Sequence, residues 1–293
     1  MDILHPAESN SKMAHHGTTY RVYGISLSSS DDAGVNMCPR AMRRSTIQHY
    51  LDHGHTLEEV SHIAADKNLS TCAYNCVTHM AGHGRSDFVR EARRKLTQWL
   101  ERDPVGFCDR LVSQMTNITA YHSDAEFALR ANINSDVNWR VICPAMFTFG
   151  WSIYDYTKCS ERLGWAPWHL TYSVNEGTCS RDWDRVYRAG CNISVVFDSV
   201  WNPWRLGQTF GYLPAVFTDA FGREWPVVDG DANDLRFLDP VGVCVGLRHK
   251  GGPDQKRHQC CTEFVVDAGT DEVGHIHPAD APAGYYILEN CYA

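Results

Sequence analysis

Cys38-Pro39, then Cys72-Ala-Tyr-Asn-Cys76, then Gly82-His-Gly-Arg85 mark the stretch on which the reading of this chain turns. It follows a first strand-like run and precedes a long alternation of strand-like and helix-like segments. Three thiols in a loop ahead of such a run form a pattern able to hold an iron–sulfur cluster, since these clusters are carried by cysteine thiolates. Spacing alone leaves other readings open. Zinc takes four ligands, and His79 or His83 is available to complete a set with the three cysteines. Small buried thiols that only pack are the third reading.

Working outward, Tyr20 to Leu27 alternates apolar and polar residues and predicts the first strand. Residues 1–19 are polar and predict an unstructured lead-in. Residues 40–71 separate the first cysteine from the other two and form a small helical insert. One helix is expected over Thr46–His53. A second opens at Thr56, with Glu59 three residues on as a capping box. The insert caps the mouth of the fold, or alternatively offers a helical hairpin to nucleic acid or a host protein. Ser86–Glu101 predicts a helix with Phe88, Ala92, Leu96 and Leu100 on one face, and residues 105–119 predict another.

From Phe127 onward, strand-like runs end in polar clusters. Strands joined by helix-length connections imply parallel pairing. The expected fold class is therefore α/β: a partial or complete parallel (β/α) barrel, TIM-like, spanning residues 1–265 as one domain, with an irregular C-terminal tail over residues 266–293. In such folds ligands bind at the carboxyl ends of the strands. Those ends supply Asp136, Asp155, Lys158 and Glu176 as candidate catalytic residues. They supply Asn132, Ser173, Asn175 and Asp198 as candidate cofactor-binding residues, and Cys38, Cys72 and Cys76 are the candidate metal ligands. Asp155, Asp198, Asp229 and Asp231 are the alternative set, for a hard divalent cation such as magnesium.

The chain has 293 residues, 43% of them hydrophobic and 21% charged, enough to bury a sizeable core. Its net charge of −8 argues against a general nucleic-acid-binding field. No apolar run approaches the roughly 20 residues that span a bilayer, and the first residues lack the basic head and apolar run of a signal peptide. A cytoplasmic location is the expectation. Twelve cysteines in a reducing compartment then point to metal binding or packing rather than disulfides.

A set of motifs runs through most of the chain: Gly34-Val-Asn-Met-Cys-Pro39; Cys72-x3-Cys76 with Ala81-Gly-His-Gly-Arg85; Arg130-x-Asn132-x3-Asp136-x2-Trp139; Tyr154-Asp-Tyr-Thr-Lys158; His169-Leu-Thr-Tyr-Ser173; and Val228-Asp-Gly-Asp-x2-Asp-Leu-Arg-Phe237. In order and kind these resemble the phage and plasmid family called gene product 88. That family's usual pattern places its first two cysteines only a few residues apart, so the 40–71 insert is a departure. The cysteine loop after a first strand is also similar in architecture to radical S-adenosylmethionine enzymes, although their Cys-x3-Cys-x2-Cys spacing is not met. What the resemblance implies is a 4Fe-4S cluster and S-adenosylmethionine as cofactors, zinc being the alternative, and a small-molecule, nucleotide or nucleic-acid substrate in the host cytoplasm.

Overall fold

The polar character of residues 1–19 predicts a lead-in without structure, yet Leu4–Pro6 forms a strand, β1, antiparallel to β2 (Tyr20–Ile25), with Leu4 opposite Ile25. Two apolar side chains in a polar stretch suffice. Ile3 and Leu4 are buried in the main core, and their backbone N–H groups donate to Gln114 Oε1 at 2.9 and 3.4 Å. The computed structural model describes residues 2–6, 19–29, 32–74, 76, 86–197, 200–201, 209–210, 213–249 and 265–266. Of the expected C-terminal tail, residues 267–293 lie outside the described residues.

The helical pattern is realised as α1 (Arg44–Asp52), α2 (Leu57–Asp66), α3 (Asp87–Arg102), α4 (Pro104–Tyr121), α5 (Trp139–Ile142) and α6 (Ser180–Ala189). The capping box at α2 is formed: Glu59 N donates to Thr56 Oγ1 at 3.2 Å, and Thr56 N donates to Glu59 Oε2 at 2.8 Å. Asp103 caps α4 by accepting from Gly106 N, with Pro104 in the first helical turn, where its missing N–H costs nothing. Gly190 ends α6 at φ 60, the left-handed conformation glycine adopts without a Cβ clash. In α3 the buried stripe is Leu96, Thr97 and Leu100, whereas Phe88, in the first turn, is 84% exposed.

The remaining strands are β3 (Glu126–Arg130), β4 (Ser152–Thr157), β5 (Trp168–Ser173), β6 (Ile193–Phe197), β7 (Val200–Trp201), β8 (Thr209–Phe210), β9 (Val216–Thr218), β10 (Glu224–Asp229), β11 (Cys244–Arg248) and β12 (Val265–Val266). The main sheet runs β1-β2-β3-β4-β5-β6-β11-β10-β9, with β12 alongside β6, while β7 and β8 pair separately. Every pairing from β2 through to β10 is parallel, and the two edge strands are antiparallel. The fold is thus a mixed α/β fold on a mostly parallel sheet. A barrel with sequential neighbours would set β10 beside β6; here β11 lies between them, and the pairings among the described residues form an open path.

Period-2 alternation divides the sheet into two faces. Phe127, Leu129, Ile153, Trp168 and Leu170 pack outward with Leu96, Leu100, Phe107, Leu111 and Met115 of α3 and α4. Full burial of one such side chain contributes about 1.5–3 kcal/mol. The inner face carries Val22, Ala128 and Tyr154, which pack against Leu235. Phe237 meets Tyr20 edge-on at 5.1 Å. The connection from β10 to β11 therefore crosses the inner face of β2–β4 instead of lying outside it, and this return places β11 next to β6.

Candidate functional site

The insert leaves the fold and returns to it at one point. Met42 N donates to Ser70 O at 2.9 Å, and Ser70 N donates to Arg40 O at 2.8 Å, closing a parallel bridge between Ala41 and Ser70. Helices α1 and α2 sit beyond that bridge on a small core of Met42, Ile47, Leu57, Val60 and Ala64. Cys38 and Cys72, distant in sequence, thus flank the same bridge. The long spacing collapses to that of a short loop.

Two further ties hold the cysteine segments over the carboxyl ends of the strands. Asp136 N, after β3, donates to Met37 O at 2.9 Å. Glu176, after β5, accepts from Ser70 Oγ at 3.0 Å, Thr71 N at 2.6 Å and Thr71 Oγ1 at 2.5 Å, and so grips the 3-10 turn Thr71–Ala73 that bears Cys72. Gly177 allows this approach. A Cβ there would fall 2.7 Å from Leu69 N and 2.9 Å from the carbonyl carbon of Asn68, contacts that real side chains do not make.

Cys38, Cys72 and Cys76 line one cavity of about 290 Å³, together with Asn132, Asp136, Lys158 and Ser173. Seven of the residues expected at the site thereby share one space, formed at the ends of β3, β4, β5, β6 and β11. Burial pushes the Cys72 thiol up, and the Lys158 ammonium opposes that shift. Burial also works against the Lys158 ammonium, yet Cys72, Asp136 and Cys38 together hold its pKa above the ordinary value. Lys158 is therefore a cation placed among the thiols, where it favours their thiolate forms.

The other expected residues have structural partners. Asp136 Oδ1 accepts from Thr157 Oγ1 at 2.9 Å and from Arg162 Nη1 at 2.7 Å, and Oδ2 accepts from Lys158 N at 3.1 Å. It lines the cavity but is fixed by donors on both oxygens. Asn175 closes its own turn, donating to Ser173 O and accepting from Gly177 N, each at 3.0 Å. Asp155 is fully buried; it accepts from Asn132 N at 2.7 Å and Trp168 Nε1 at 3.2 Å, off the cavity wall. Asp198, His79, His83 and Arg85 lie outside the described residues.

Burial raises Asp155 well above its ordinary value of 3.8, against the Arg130 charge and the hydrogen bonds from Asn132 and Trp168. The folded carboxyl therefore holds its proton to higher pH than the unfolded one. Its contribution to stability is largest below 3.8 and declines as pH rises from there through the folded value. Urea midpoints across this range are expected to show that decline, and Asp155→Asn, which has no such proton, is expected to flatten it.

Of the carboxylates expected for a divalent cation, Asp198 lies outside the described residues, Asp229 and Asp231 both lie against Arg248, and Asp155 is off the cavity wall. Asp229 Oδ1 accepts from Arg248 Nη1 at 2.8 Å, and Asp231 Oδ2 accepts from Arg248 N at 3.0 Å, while Asp155 lies buried elsewhere. Among the described residues, no three His, Cys, Asp or Glu side chains converge on a single ion position. In a four-iron cluster each cysteine binds a different iron, so its ligands surround a volume rather than a point.

Sequence reading missed Arg130 and Tyr156 as cavity residues. Arg130 Nη1 donates to Asp234 Oδ1 at 2.8 Å and Oδ2 at 2.7 Å, and its guanidinium lies 5.2 Å from the Tyr156 ring centre. The available signal was period 2: Arg130 falls in register with Ala128 at the end of the apolar run Phe127-Ala-Leu129, so a charge points into the inner face. No helix among the described residues is long and apolar enough to cross a membrane.

No curated protein and no solved structure matches the chain. The model of the family described as gene product 88 matches residues 5–265, which includes both cysteine segments, every strand of the parallel sheet and the inner-face return, and the chain belongs to that family.

Proposed function

We propose that this protein is an iron–sulfur enzyme. Cys38, Cys72 and Cys76 carry a four-iron cluster, and the adjoining cavity takes S-adenosylmethionine and a small-molecule or nucleotide substrate. The observation that carries the reading is the gathering of three thiols and the Lys158 ammonium on one cavity wall, at the carboxyl ends of parallel strands. Strands β2 to β6, in sequential order, are what a partial (β/α) barrel needs on that side. When bound, a three-thiolate cluster supplies an electron and leaves one iron open to a ligand. The protein's own residues do the rest: Lys158 offsets thiolate charge, Glu176 and Asp136 hold the loops, and Ser173 offers a hydroxyl to the ligand.

The insert acts as a cap in this reading, since Arg40 and Ala41 at its base line the same cavity. Protein reconstituted anaerobically with iron and sulfide is expected to bind both stoichiometrically and to show charge-transfer absorption. Cys72→Ala/Cys76→Ala is expected to lose all three signals. Zinc in place of iron, or no metal lost in the variant, would sink the proposal.

A further inference from the structure

Eight buried side-chain nitrogen or oxygen atoms among the described residues meet no hydrogen-bond partner, and six of them belong to one neighbourhood: Arg130 Nε, Tyr154 and Tyr156 hydroxyls, Arg236 Nε and Nη1, and Asp239 Oδ2. Buried polar groups are nearly always paired, so a concentration of exceptions points to something the chain itself does not supply. Apart from Arg236 Nη1 and Asp239 Oδ2, which face each other, every one of these atoms is a donor without an acceptor. Guanidinium nitrogens only donate, and a tyrosine hydroxyl can donate. Asp234 is spent on Arg130 Nη1, and Asp239 lies 3.2 Å from Arg236 Nη1 as an ion pair off hydrogen-bond geometry.

Arg130, Tyr154 and Tyr156 sit on the inner face of β3 and β4, beneath the return that carries Asp234, Arg236 and Asp239. Arg130, Tyr156 and Asp234 open onto the cavity that holds the three cysteines, and the charge of Arg236 acts on Tyr156 from behind. Because Arg130 gives Nη1 to Asp234, the edge carrying Nε remains, and that is an edge on which a guanidinium takes two oxygens of a carboxylate or phosphate side by side. The floor continues as hydroxyls: Ser173 and Ser194 are register partners on β5 and β6 and line the same cavity. Lys158, by contrast, is engaged with the thiols and Asp136.

We propose that the floor of this cavity is an oxyanion site, in which Arg130 and the Tyr156 hydroxyl receive a carboxylate or phosphate group of the ligand, with Arg236 supporting the charge. This rests on the cavity being the active site, and it assigns the ligand's anionic end to the wall of β3 and β4, opposite in role to the cysteine wall.

The test is calorimetric titration of the full chain, as reconstituted, with a deoxynucleoside 5′-monophosphate, the parent nucleoside, inorganic phosphate and an α-amino acid. Wild type, Tyr156→Phe and Arg130→Lys are compared. Tyr156→Phe keeps the ring beneath Arg130 and removes a hydroxyl that has no partner, so its thermal midpoint is expected to match wild type. Arg130→Lys keeps the charge for Asp234 and loses the fork. Each variant is expected to weaken the anionic ligand about tenfold, as loss of one hydrogen bond to a charged group implies. Tight binding of the monophosphate but not the nucleoside identifies a phosphate; tight binding of the amino acid identifies a carboxylate. Equal affinities in all three proteins, or no preference for an anion, would mean that the site holds water only and would overturn the proposal. Iron is measured in the same samples, so failure of the cluster reading is seen separately from failure of the oxyanion site.

Discussion

Asn132→Asp is expected to destabilise the protein by about 3–5 kcal/mol, the range for an uncompensated buried charge. Asn132 is 4% exposed and uses both ends of its amide. Its Oδ1 accepts from Ser135 Oγ at 3.0 Å, Val137 N at 3.0 Å and Trp139 Nε1 at 3.1 Å. Its Nδ2 donates to Val137 O at 3.1 Å and to Asp155 Oδ2 at 3.4 Å. A carboxylate in its place would set an acceptor against Val137 O and a negative charge beside the buried Asp155 carboxyl. Two carboxyls sharing a site cannot both ionise cheaply. The hub also pins Trp139, a fully buried ring stacked with Phe107 at 6.2 Å, so the loss spreads into the main core. Urea unfolding measures the effect. A loss under about 1 kcal/mol, together with weaker ligand binding, would show that Asn132 acts on the ligand instead of on the fold.

Glu176→Ala is expected to cost about 2–4 kcal/mol and to lower iron retention several-fold, because three hydrogen bonds to one buried carboxyl group hold the turn that bears Cys72. Removing the acceptor strands Thr71 N and two hydroxyls in a partly buried site. Glu176→Gln keeps one acceptor oxygen and should restore most of the iron at intermediate stability. Iron counted after gel filtration, beside a denaturation curve, separates the two effects. If Glu176→Ala unfolds no more easily and keeps its iron, the turn does not depend on this clamp. The same substitution leaves the oxyanion wall of β3 and β4 in place, so a change confined to iron points to the cysteine wall.

Much of the architecture was legible beforehand because local chemistry dictates it. Alternation placed β2, and the apolar runs after it placed β3 to β6. Gly190 and the Thr56–Glu59 pair marked a helix end and a helix start. The helix-length connections between strands predicted parallel pairing, since parallel neighbours need a crossover while antiparallel ones can be joined by a tight turn. Phe88 misled, because helical periodicity marks a face without saying where along the helix the partner surface begins. The candidate site was legible as a region. Polar residues at strand ends pointed to the edge of the sheet where the cavity lies, but residue type could not distinguish a cavity wall from a buried hub. Asn132 and Asp136 line the cavity and are saturated with partners, while Asp155 and Glu176 serve the loops around it.

The sequence by itself determined the principal helices, strands β2 to β6, β10 and β11, their parallel direction and the three thiols as the chemistry to watch, because each is set by local periodicity, capping or the length of a connection. Only the tertiary structure decided that the insert closes at the Ala41–Ser70 bridge, so that Cys38 and Cys72 line one cavity despite their long separation. It also decided that the return after β10 crosses the inner face, setting β11 between β6 and β10 and laying Asp234 and Arg236 against Arg130 and Tyr156. Both depend on contacts between residues far apart in the chain, whose cost is the entropy of closing long loops and whose gain appears only when the whole sheet has formed.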